Sequence, residues 1–224
     1  MFKTVKIVSL SPKTPSSIHL EVKPDPKILK SYRVPGQYVA IRLAGFKEAF
    51  FALSNPPGEK TFSFLVKKSS PLAQRLAALK KGDVVDISEI RGKGFAMDRV
   101  WGKSVFLLAV GSAIGPIRAA LAHILKKPSK VKLVSLYFGA LNAGEFAYAE
   151  EFPEWEKKGA TIIQTVFPPN SSWNGPTGFV QDHLPQKLPA DAVALICGMQ
   201  EMLDASRARL KERGLSDEMI LTNI

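Results

Sequence analysis

Hydrophobic and polar positions alternate along the first hundred residues in short runs separated by turn residues, and then change to longer continuous apolar runs. Thr4 to Leu10 and Ile18 to Val22 alternate, and Tyr38 to Leu43 follows the turn Pro35-Gly36. Phe50 to Leu53 stops before Pro56-Pro57-Gly58, and Phe62 to Val66 and Val84 to Ile87 complete about six strands. This spacing predicts a small antiparallel barrel. One helix interrupts it, over Pro71 to Leu79, with Leu72, Arg75, Leu76 and Leu79 at helical spacing and Gly82-Asp83 beyond its end.

After Trp101-Gly102-Lys103 the pattern alternates buried strands with helices. Val105 to Val110, Val131 to Phe138, Thr161 to Phe167 and Ala192 to Cys197 read as buried strands. Ile117 to Leu125 and Met202 to Arg213 read as helices, the second closed by Gly214, and Met219 to Leu221 reads as a last short strand. The expected architecture is a β-barrel over residues 1–100 followed by a doubly wound parallel α/β domain over residues 101–224.

A length of 224 residues favours two domains over one. No apolar run reaches 18 residues, and the N-terminus enters strand sequence directly without a signal-peptide core. A protein of the cytoplasm, or of an organelle stroma once a transit segment is removed, is expected, with no membrane insertion. Cys197 is the single cysteine and only three histidines are present, so neither a disulfide nor a metal or iron-sulfur ligand set is expected. Redox chemistry then requires an organic cofactor.

Charge is unevenly placed. Residues 1–100 hold 18 Lys and Arg against 8 Asp and Glu, a net +10, whereas residues 101–224 hold 13 against 12, a net +1. Such a field speeds encounter with an acidic partner or an anionic ligand, and serves solubility equally well. The lysines are scattered over strands and loops without a nucleic-acid motif, so no nucleic-acid partner is expected.

Three segments offer site chemistry. Gly111-Ser112-Ala113-Ile114-Gly115-Pro116 leaves a buried strand and enters a helix, where small residues and free N–H groups suit a pyrophosphate; a tight turn with no ligand has the same composition. Cys197-Gly198-Met199 ends the last long strand, and strand carboxyl ends line the ligand crevice of a doubly wound sheet. Cys197 also reads as an inert buried thiol, and no histidine is placed by sequence to make it a nucleophile. In the front half, Ser54 and Asn55 follow one strand and Lys67 follows another, where a hydroxyl, edge backbone groups and a lysine could hold a phosphate-bearing ligand. Taken alone, these three are accounted for more readily by ordinary barrel packing.

The stretches Pro35-Gly36-Gln37-Tyr38, Phe50 to Pro57, Phe64 to Lys67, Leu79 to Val85, Gly92 to Phe95, Gly111 to Arg118, Tyr137 to Ala140, Cys197-Gly198 and Ile220 to Ile224 follow one another in an order and spacing that resemble the ferredoxin-NADP reductase superfamily over the full chain. Within it the chain is similar to the plant fruit proteins of the kiwi type. The resemblance implies FAD in the barrel, with Leu53 and Ser54 at the isoalloxazine and Val66, Lys67 and Ser70 along the rest. It implies NADH or NADPH at Gly111, Ser112 and Pro116, with Cys197 and Gly198 beside the nicotinamide. Ser54 and Cys197 would then be the residues nearest the hydride transfer; the sequence does not name the acceptor, and the basic front half suggests an acidic redox protein such as a ferredoxin or flavodoxin.

The chain departs from the family pattern at several points. Phe51-Ala52-Leu53-Ser54 stands where the family has Arg-x-Tyr-Ser, Ala113 stands where Gly is usual, and Leu141 replaces an arginine common after Tyr-Gly-Ala. The chain ends in Ile224 rather than an aromatic residue. These changes leave open a second expectation, a binding protein that keeps the fold without flavin, and the loss of the arginine at Leu141 implies that NADH is accepted at least as well as NADPH.

Overall fold

A computed structural model describes residues 1–223; Ile224, the end of the last matching stretch, lies outside the described residues. Six strands form an antiparallel sheet: β1 (Phe2–Thr14), β2 (Ser17–Lys23), β3 (Tyr38–Arg42), β4 (Ala49–Ala52), β5 (Phe62–Lys67) and β6 (Val84–Ser88). Their order is β4-β3-β6-β1-β2-β5. The sheet curls around an apolar core that includes Val5, Ile7, Leu20, Val39, Ile41, Leu53, Phe62, Phe64 and Val66. Among the described residues no ladder joins β4 to β5, so the expected barrel is an open one with two free edges.

Five parallel strands form the second sheet: β7 (Ser104–Val110), β8 (Leu133–Ala140), β9 (Ala160–Val166), β10 (Ala192–Cys197) and β11 (Ile220–Leu221), in the order β11-β10-β7-β8-β9. Alternate residues of β7 feed opposite faces. Val105, Leu107 and Ala109 join a core with Ile114, Ile117 and Leu121 of helix α3 (Ile114–Ile124), while Phe106 and Leu108 pack with Met202, Leu203 and Leu210 of helix α5 (Gln200–Glu212). Helices therefore cover both faces, as a doubly wound sheet requires. Phe95, Met97 and Val100, in the segment joining the sheets, also enter the core under α3.

Helix boundaries differ from expectation for local reasons. Helix α2 (Pro71–Ala77) starts on its proline as expected, with Ser70 accepting a capping hydrogen bond from the Ala73 amide, and ends two residues before the expected Leu79. Helix α3 starts at Ile114 rather than Ile117, because Pro116 falls in the first turn, where its missing N–H breaks no helical bond. Two short helices have too few apolar repeats to be read from sequence. They are α1 (Pro26–Ser31), capped by Asp25, and α4 (Phe152–Lys157), which buries Phe152 and Trp155. No helix among the described residues is long and apolar enough to cross a membrane.

Candidate functional site

A cleft of about 840 Å3 runs between the two sheets. The antiparallel side contributes Ala49, Phe50, Phe51 and Ala52 of β4, Leu65 and Lys67 of β5, and Ser69 and Ser70. Residues of both edge strands of that sheet, β4 and β5, thus border the cleft. The parallel side contributes the carboxyl ends of β7, β8, β9 and β10. The chain turns in opposite directions from β7, towards β8 on one side and β10 on the other, and the crevice opens at this reversal.

Gly111 leaves β7 with φ +52°, the left-handed region in which a side chain would be strained, and begins a single 3-10 turn that continues into α3. Gly111, Ser112, Gly115 and Pro116 all line the cleft; Ile114 is fully buried beneath them in the core. Gly115 faces the antiparallel sheet, where an added Cβ would lie 3.5 Å from the Leu65 Cβ and 3.6 Å from the Ser54 Cβ. Across the switch point, Cys197, Gly198 and Met199 line the cleft from the end of β10. Gly198 packs closely, and a Cβ there would sit 2.6 Å from Met202 Sδ and 3.2 Å from a Val110 methyl, so a side chain would displace the end of Met202. Burial pushes the Cys197 thiol up to about 12, so it stays protonated at neutral pH.

On the antiparallel side the structure separates the expected residues into two groups. Lys67 and Ser70 line the cleft, although the Ser70 hydroxyl is engaged in capping α2. Leu53, Ser54, Asn55 and Val66 are buried behind the wall. The Ser54 hydroxyl meets the Ser63 hydroxyl at 2.8 Å, and the Asn55 side chain bonds the Ser63 amide (2.8 Å) and the Thr61 carbonyl (2.9 Å). The aromatic positions that do face the cleft are Phe50, 60% exposed, and the half-buried Phe51. Period-two alternation alone could not find them, because a short edge strand beside a cleft is open on both faces.

Lys67 and Glu201 are the only charged side chains lining the cleft among the described residues. Its outer rim is apolar. Leu141 is 63% exposed, and the Phe167 and Phe179 rings lie tilted against each other with centroids 4.4 Å apart. No group of three His, Cys, Asp or Glu among the described residues could hold a metal ion.

Behind the cleft, polar groups bridge the two sheets. Arg118 of α3 donates to both carboxylate oxygens of Glu151 and to the Ser54 carbonyl, and its guanidinium lies 4.5 Å from the Tyr148 ring centroid. Burial opposes the Arg118 charge, and Glu151 more than offsets it, holding the guanidinium charged above its ordinary range. No local pattern in the sequence signals this network, whose bonds from Arg118 and Tyr148 to the antiparallel sheet join residues 64 to 129 positions apart.

A family model described as an oxidoreductase NAD-binding domain matches residues 107–208. Fruit protein pKIWI502 of Actinidia deliciosa is 30% identical over 220 residues, spanning 90% of this chain and 69% of the relative. The chain is also 24% identical to the gamma subunit of sulfhydrogenase 2 of Pyrococcus furiosus and 26% identical to one subunit of the Na(+)-translocating NADH-quinone reductase of Klebsiella pneumoniae. It spans 44% and 47% of these two relatives respectively. Among solved structures, a ferredoxin NADP+ reductase from Neisseria gonorrhoeae with bound FAD and NADP matches 99% of this chain and 97% of its own, at a TM-score of 0.80 and 18% identity. The FAD/NAD-binding domain of the Vibrio cholerae nitric oxide dioxygenase gives 0.83 at 20% identity over 98% and 97%. At that identity the two structures show the fold, a ferredoxin reductase-like one, and the kiwi relative shows the family: the chain belongs to that of fruit protein pKIWI502, with an oxidoreductase NAD-binding domain over residues 107–208.

Proposed function

We propose that this protein is an NAD(P)H-dependent flavin oxidoreductase, in which FAD lies against the antiparallel side of the cleft and the dinucleotide against the carboxyl ends of β7, β8 and β10. The observation that carries this reading is the cleft of about 840 Å3, walled by an aromatic strand on one side and by two glycine-bearing strand ends on the other. Its volume falls in the range of cofactor sites. The donor set fits as well. Phe50 and Phe51 offer aromatic surface for a flat ring system, and Lys67 offers a cation for a pyrophosphate. The loop from Gly111 to Pro116 offers backbone at the start of α3, where negative charge is favoured.

When bound, the nicotinamide supplies a hydride and the flavin takes it up. The chain's own contribution is positioning and exclusion of water. Gly198 leaves bare backbone beside Cys197, so a flat ring could approach the end of β10 closely. The protonated Cys197 thiol presents a small, soft, uncharged surface there and does not act as a nucleophile. Ser54 acts from behind the wall, holding the strand ends together through Ser63. NADH is the preferred donor, because the rim at Leu141, Phe167 and Phe179 offers a 2′-phosphate no cation among the described residues.

The electron acceptor is an acidic redox protein that docks on the basic front half of the chain. Two measurements test the reading. Added FAD should bind with its fluorescence quenched, and NADH-driven reduction of a ferredoxin should slow as ionic strength rises. Absence of FAD binding would overturn the enzyme reading, and salt-independent turnover would overturn the acidic acceptor.

A further inference from the structure

Arg118 lies within the second turn of α3, two residues after Pro116 of the dinucleotide loop, and it reaches back to the wall on which the flavin is proposed to rest. Its Nη1 donates to the Ser54 carbonyl at 2.6 Å. Its Nε meets both Glu151 oxygens at 2.9 Å and its Nη2 meets one of them at 2.7 Å, a two-pronged arrangement that fixes the guanidinium plane. Tyr148 lies against that plane and donates its hydroxyl to Ser54 Oγ at 3.3 Å, while His19 Nδ1 lies 3.0 Å from the same hydroxyl. Tyr148 is completely buried with φ 65°, a backbone conformation that a side-chain-bearing residue keeps only where its surroundings impose it. Along the flank, Lys13 pairs with Glu150 and Ser16 donates to Glu145.

Ser54 is meanwhile tied to the antiparallel sheet, its amide bonding the Ser63 carbonyl at 2.8 Å and its hydroxyl the Ser63 hydroxyl. The segment that ends β4 is thus held by its own sheet and by α3 at once. A partly buried ion pair adds little to stability, and its distinctive product is a fixed geometry. Here that geometry joins the wall bearing Phe50, Phe51 and Leu65 to the helix that begins with the dinucleotide loop.

We propose that Arg118 is a positioning residue for hydride transfer, locking the segment at Ser54 to α3 and so setting the spacing between the two walls of the cleft. The proposal rests on the reading of the cleft as a flavin and dinucleotide site. Misplacement of reacting groups by about 1 Å costs on the order of 100-fold in rate, so a small shift of one wall would be read in chemistry before it is read in affinity.

The test compares wild type, Arg118→Met and Arg118→Lys, each loaded with FAD and mixed rapidly with NADH over a concentration series, with amide exchange followed over residues 53–65. Arg118→Met should bind FAD fully and hold NADH within about threefold of wild-type affinity. Its limiting flavin-reduction rate should fall about 30-fold or more, and the Ser54 and Ser63 amides should exchange faster. Arg118→Lys should recover part of the rate, since one ammonium can reach a carbonyl or a carboxylate but cannot fork between them. Wild-type reduction rates in Arg118→Met, or a fall that only tracks lost flavin, would overturn the proposal while leaving the cleft reading intact. Failure of the wild-type protein to bind FAD would instead overturn both.

Discussion

Cys197 and Ala109 are neighbours in the parallel register of β10 on β7, so the thiol and the entrance to Gly111 open onto the same crevice. Burial that pushes the Cys197 thiol up to about 12 makes it a poor nucleophile. Iodoacetamide at about pH 8 should therefore leave the folded protein largely unlabelled over an hour while labelling it fully in denaturant. Rapid labelling of the folded protein would show an activated thiolate and a different role for this residue. Cys197→Ala should keep bound FAD and lower the rate of flavin reduction by roughly tenfold, the scale expected of a small loss of positioning.

Leu141 projects from the end of β8 at the cleft rim, where the family commonly carries an arginine. Leu141→Arg should raise kcat/KM for NADPH by about tenfold, the effect of one charge-assisted contact to a phosphate, with little change for NADH. Unchanged NADPH kinetics would mean that the 2′ position lies elsewhere.

Phe50 and Phe51 present aromatic surface on the antiparallel wall, with Tyr38 packed edge-on behind Phe50 at 5.5 Å between centroids. Replacing both with alanine should weaken FAD binding by at least about tenfold, because stacking and apolar contact contribute about 1 kcal/mol or more for such a ring. Equilibrium binding followed by flavin fluorescence gives the answer, and undiminished affinity would remove these rings from the site.

Burial, with Arg118 and Lys13 nearby, lowers the His19 pKa from 6.5 to about 4, against the opposing pull of Glu21 and Glu150. The folded protein holds His19 neutral, while the unfolded chain takes up a proton as pH falls through 6.5. Stability should therefore decline from about pH 6.5 towards pH 4. His123, lowered for similar reasons by burial with Lys126 and Lys127, contributes in the same direction. The specific expectation is a difference: His19→Gln keeps a polar partner for Tyr148 and should lose less Tm between about pH 6.5 and 5 than wild type. Equal losses would place the pH sensitivity elsewhere.

The fold was legible because its strands differ in kind. Half-exposed antiparallel strands such as Ser17–Lys23 alternate, whereas β7 and β10 are apolar almost throughout because helices cover both faces. The glycine-bearing strand ends were legible for the same reason, since a buried strand followed by small residues marks a crevice. The antiparallel wall was not. Phe50 to Leu53 reads as one strand with its site at the end, yet the strand stops at Ala52 and Leu53 turns into the core, moving the cleft-facing residues towards Ala49. Ser54 illustrates the limit: its partners Ser63, Arg118 and Tyr148 come from three separate parts of the chain, and only folding brings them together.

The most direct test of the flavin reading is an absorption spectrum from about 300 to 550 nm on protein supplied with FAD and then with NADH in the absence of oxygen. Bound-flavin bands should appear and then bleach when NADH is added, with a rate that saturates in NADH. A protein that stays colourless after FAD is supplied, or whose bound flavin is indifferent to NADH, would contradict it.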